Sequence, residues 1–135
     1  MFGSKKSGSA QARIDSLIGS GTRIEGDLQF SGGLRIDGQV RGNVTGAGSS
    51  GATLVVSEQA SVEGEIRVAH VVVNGTVKGP IFATESLELQ PGARVTGDVH
   101  YSKIEVHLGA TVDGRMSHRN EAEPRAIELK LAASK

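Results

Sequence analysis

One glycine keeps returning two places behind an aliphatic residue, and this constrains the fold more than any other feature of the chain. Gly26, Gly42, Gly64, Gly79, Gly97 and Gly114 follow one another at spacings of 16, 22, 15, 18 and 17 residues. Two positions before them stand Ile24, Val40, Val62, Val77, Val95 and Val112. Two positions after them stand Leu28, Val44, Ile66, Ile81, Val99 and Met116. Four before, the residue is small: Thr22, Gly38, Ala60, Gly75, Ala93 and Ala110. A second apolar pair falls between glycines: Leu34/Ile36, Leu54/Val56, Val71/Val73, Leu87/Leu89 and Ile104/Val106.

Within each repeat apolar and polar residues alternate. Ala93, Val95, Gly97, Val99 and Tyr101 are separated by Arg94, Thr96, Asp98 and His100. A period of two means strands with one buried face. No helical period of comparable strength runs through 22–116. A fixed repeat of about seventeen residues is the mark of a solenoid. Each repeat makes one coil of about three short strands, and coils stack at about 4.8 Å so that like residues lie over like. The glycine is then predicted at an inward position of a tight turn, where a Cβ would crowd the core or φ must be positive.

A β-sandwich or barrel also alternates. Those folds pair strands antiparallel and do not require column-wise identity at seventeen residues. Composition agrees with a narrow tube: aromatics are 3% and Gly is 19 of 135, so Val, Ile, Leu and Ala must fill the core. The phase slips at "SGG", "TES", "QPG" and "HLG", whereas a left-handed coil keeps a stricter six-residue step. The expected fold is therefore all-β: a single right-handed parallel β-helix of about six coils over 14–117. The segment "TGAGSSGAT" at 45–53 reads as a loop inserted at one corner.

Residues 1–13 and 118–135 are expected to be flexible, disordered tails. Ile14, Leu17 and Ile18 are placed over the first coil. "AIELKLA" is too short to hold a helix alone. Both ends of the tube are then thinly covered. An end coil exposes unpaired strand edges, which template pairing with another chain, and solenoids ordinarily need polar caps. Leu28 and Phe30 in the first coil and Val112 and Met116 in the last are the candidate polymer interface. The alternative is a monomer whose tails fold over the ends.

Catalytic, cofactor and metal sites are not expected. Lys plus Arg equal Asp plus Glu at 15 each, which argues against a nucleic-acid partner. There is no Cys, so thiolate sites are excluded. "GSGTRIEG" and "GAGSSGAT" lack the Lys-Ser/Thr ending of a phosphate loop, so nucleotide is not implied. His70, His100, His107 and His118 are read as solvated, with no carboxylate at an obvious ligand spacing. Val55 and Val72 point outward seventeen residues apart, and with Phe82 are expected to form a small apolar patch. "MFGSKKSGSA" has lysines but no apolar run, so it does not read as a secretory signal. Met1, Phe2, Lys5 and Lys6 are candidate contacts to an anionic membrane surface, each lysine adding roughly 1 kcal/mol. Many copies in a polymer would multiply that weak affinity.

With the repeats laid out, the chain resembles the bactofilins. The resemblance rests on "IDSLIGSGTRIEGDLQFSGGLRIDGQVRGNV", the Val-x-Gly units and "LELQPGARVTGDVHYSKIEVHLGATVDG", and covers about 14–116. "MFGSKK" is similar to the membrane-targeting start of some members. The resemblance implies a polymer-forming cytoskeletal protein of bacteria. It implies nucleotide-independent, nonpolar filaments joined end to end through apolar residues of the terminal coils. It also implies a cytoplasmic location at the inner face of the membrane, with roles in cell shape or recruitment of cell-wall enzymes. A β-helix enzyme, an acyltransferase or a carbonic-anhydrase-like metal protein, is the alternative reading, and a monomeric binding module a third.

Overall fold

The computed structural model describes residues 14–46 and 51–118, in which every regular element is a strand. The strands form a parallel β-solenoid of about six turns with three faces.

The first face stacks β1 (Ser16–Ile18), β4 (Gly33–Ile36), β7 (Thr53–Val56), the second halves of β9 (Ile66–Val73) and β11 (Ile81–Leu89), and β14 (Ile104–Val106). The second face stacks β2 (Arg23–Glu25), β5 (Gln39–Arg41), β8 (Ser61–Glu63), β10 (Thr76–Lys78), β12 (Arg94–Thr96) and β15 (Thr111–Asp113). The third stacks β3 (Leu28–Phe30), β6 (Val44–Gly46), the first halves of β9 and β11, β13 (Val99–Tyr101) and β16 (Met116–His118). All these pairings are parallel.

The register turns the repeat into columns. Val40, Val62, Val77 and Val95 lie one over the next on the second face. Val44, Ile66, Ile81 and Val99 do so on the third. These eight side chains are between 0% and 2% exposed. Each such aliphatic burial contributes roughly 1.5–3 kcal/mol, so the tube is held by many equal steps rather than by one central cluster.

The recurring glycine sits at the corner between the second and third faces and has the expected positive φ at every repeat but Gly114, while the crowding it avoids is not that of the core. It is half-buried or exposed rather than inward. Its obstacle is the backbone of the preceding coil. At Gly64, φ is +146° and an added Cβ would lie 2.1 Å from the Gly42 carbonyl oxygen. The small residue four places earlier is tight for a similar reason: a Cβ on Gly75 would lie 2.2 Å from the Ser57 carbonyl oxygen.

Several local expectations need correction. Ile14, Leu17 and Ile18 do not lie over the first coil. Leu17 and Ile18 are part of it, as β1, with Ile18 buried and Leu17 and Ile14 exposed. The loop expected at 45–53 is narrower, since Thr45 and Gly46 belong to β6 and Thr53 to β7. The last strand reaches His118, one residue beyond the expected domain. Val55 and Val72 do stack in register on the first face. Phe82 is on the third, between the Arg67 guanidinium at 4.1 Å and the parallel His100 ring at 4.6 Å, so the three do not form one patch.

Candidate functional site at the two open ends

The columns that vanish into the middle of the tube come to the surface at its two ends. Among the described residues, β1, β2 and β3 each pair with one neighbour only, and so do β14, β15 and β16. Each end therefore offers three strand edges with free ladder positions, the geometry that accepts another strand.

At the first end the inward side chains are Ile18, Ile24, Leu28 and Phe30, the last three half-buried. Phe30 shares its column with Gly46, Val68, Ala83 and Tyr101. That column is broad near both ends and narrow in the middle, where a Cβ on Gly46 would already approach the Ala52 Cβ to 2.9 Å. At the last end Val112 and Ile104 are half-buried, while Met116 is 44% and Val106 53% exposed. Leu108, on the turn between β14 and β15, is 96% exposed. Leu28, Phe30, Val112 and Met116 thus lie on the end surfaces. Ile24, Val106 and Leu108 join them, and the column alignment already held the signal for the first two. Met1, Phe2, Lys5 and Lys6 lie outside the described residues.

Charge is arranged along the sides. On the second face Glu25, Arg41, Glu63 and Lys78 follow one another in register, and Arg41 Nε lies 3.6 Å from Glu63 Oε1. At the glycine corner the Asn43 amide donates to Asp27 Oδ1 at 3.0 Å, and Asn43 Oδ1 accepts from the Glu65 amide at 2.9 Å. These side chains satisfy the corner backbone from coil to coil, which fixes axial stacking.

The histidines are at the surface, half-buried or exposed, but each has a partner there. His70 Nδ1 is 2.8 Å from Ser86 Oγ, and the His118 ring leans on Tyr101. His107 has the carboxylate partners that sequence spacing did not reveal: its Nε2 lies 3.1 Å from Glu88 Oε2 and 3.1 Å from Glu105 Oε2. Among the described residues no helix is long and apolar enough to cross a membrane.

A bactofilin family model, described as polymer-forming cytoskeletal, matches residues 16–117. Bactofilin BacP of Myxococcus xanthus (strain DK1622) is 32% identical over 126 residues, covering 93% of this chain and 50% of BacP. Bactofilin BacO of the same strain is 31% identical over 102 residues, covering 76% of this chain and 78% of BacO. The chain thus spans about half the length of BacP and most of BacO. No solved structure matches significantly. The matched region is the six-coil tube with both its open ends, and on these grounds the chain belongs to the bactofilins, a family of polymer-forming cytoskeletal proteins.

Proposed function

We propose that this chain assembles end to end, without nucleotide, into nonpolar filaments that act as a scaffold at the inner face of the cytoplasmic membrane. One observation carries the reading. Apolar columns that are fully buried in the middle coils are partly open at both end coils, beside strand edges unpaired among the described residues. Joining ends buries those side chains and completes the ladders in one step. The sides carry paired charge, which favours solvation over lateral stacking.

In a nonpolar filament like ends meet: Leu28 and Phe30 face their own copies across one two-fold joint, and Val112 and Met116 across the other. The resemblance to the family supports this polarity. The Met1, Phe2, Lys5 and Lys6 segment supports membrane attachment through many weak contacts. The chain then works as a structural protein rather than an enzyme. Its partners are its own copies, the anionic lipid surface, and the shape proteins or cell-wall enzymes it localises.

Electron microscopy of the purified chain, without nucleotide or metal, tests the reading. Six coils at about 4.8 Å give roughly 29 Å per subunit and a repeat of roughly 58 Å for a like-to-like pair. Thin filaments with that repeat are expected. Discrete small particles would overturn the proposal.

A further inference from the structure

The group formed by Glu88, Glu105 and His107 is polar and lies outside the apolar columns on which the proposed joint rests. Glu88 and Glu105 are directly in register on β11 and β14. Like charges placed opposite each other across two strands repel. Instead of turning apart, both carboxylates hold an oxygen 3.1 Å from His107 Nε2. The three ligand atoms lie within 4.8 Å of one another. Two ligands of one tetrahedral zinc stand about 3.3 Å apart, given bonds of about 2.0–2.1 Å, so small movements would close the set on an ion. The Gln90 amide donates to Glu88 Oε2 at 3.2 Å and holds that carboxylate in place. An open cleft lined by Val72, Ser86, Lys103 and Ile104 adjoins both glutamates and gives water access.

We propose that Glu88, Glu105 and His107 form a site for a divalent transition-metal ion of the zinc class, with water completing the coordination. An imidazole with two carboxylates suits zinc, cobalt or nickel better than magnesium or calcium, which take oxygen ligands. Glu88 belongs to the fifth coil and the other two residues to the sixth. The ion therefore ties the last coil to the body of the tube, next to one of its open ends.

The test is calorimetric titration of the chelator-stripped full-length chain with zinc chloride. One saturable site per chain is expected, with affinity falling at least about tenfold in His107→Gln and in Glu105→Gln. All three side chains are at the surface, so both variants are expected to keep the parent circular-dichroism spectrum. His100→Gln serves as the control and should bind as the parent does. Cobalt should give a tetrahedral visible spectrum that His107→Gln loses. Hydrogen exchange over 104–118 should slow when zinc is added. An unchanged affinity in His107→Gln, or no saturable binding at millimolar zinc, would overturn the site and leave the group as an ion pair only.

Discussion

Val62 and Val112 occupy the same place in the repeat, two residues before the turn glycine, yet Val62 is wholly buried and Val112 is not. Ile66 and Met116 make the same contrast on the third face, at 0% and 44% exposure. In the middle each side chain has a like neighbour above and below. At an end one neighbour is missing among the described residues, so part of the burial that a coil can supply stays unused there. A column residue thus serves folding in the middle, whereas at an end part of it stays available for the joint proposed above.

The largest expected effect separates those two uses. Ile66→Ala should cost about 2–5 kcal/mol, the range for emptying a packed aliphatic site. Met116→Ala, in the same column, should cost well under half as much. Urea denaturation in a Phe30→Arg/Val112→Arg background, where end contacts are blocked, measures both. Equal losses would break the comparison.

The turn glycine sharpens it. Gly26 and Gly64 both have positive φ, a strain of about 1–3 kcal/mol for another residue. An added Cβ on Gly64 strikes the Gly42 carbonyl oxygen of the preceding coil, whereas at Gly26 nothing among the described residues lies within 4 Å. Gly64→Ala should lower the melting temperature distinctly more than Gly26→Ala. Similar shifts would show that φ alone sets the cost.

Much of this was legible in the sequence. The Val-x-Gly units fix the columns, because stacked coils impose the same environment on the same place every turn. What parity could not show is which face an outward residue occupies. Phe82 was grouped with Val55 and Val72, but the register shifts between Ala83 and Ser86, where β11 rounds a corner. The Glu88, Glu105 and His107 group was missed for a related reason. Glu105 and His107 stand two residues apart, but Glu88 comes from the coil before, one seventeen-residue period from Glu105, so the group shows only when neighbouring coils are laid side by side. At the turn glycine the positive φ was legible, but not that the backbone of the preceding coil is what a Cβ would meet, since an alignment of one chain shows a need for smallness and not which neighbour imposes it.

Smaller effects concern the sides. Glu63→Lys puts three cations in register with Arg41 and Lys78. It should destabilise by about 0.2–1 kcal/mol, less at high salt. The smallest effect is at Asp37, whose carboxyl is held below the ordinary carboxylate value by the Ser57 hydroxyl first and Arg35 second. A depressed folded value means stability that is present above the ordinary carboxylate pKa and lost as pH falls through the folded one. Ser57→Ala should move the Asp37 titration upward, as followed by carboxyl NMR shifts. An unmoved titration would assign the depression to Arg35.

The most direct test of the central claim is the mass of the folded Phe30→Arg variant in solution, by sedimentation equilibrium. With like ends joined, blocking the first end leaves the last free, and the variant should be a discrete dimer held through Val112 and Met116. Long polymers would show that Phe30 does not lie in a joint. Monomers would show that unlike ends meet and that the filament is polar, and either result would contradict the account.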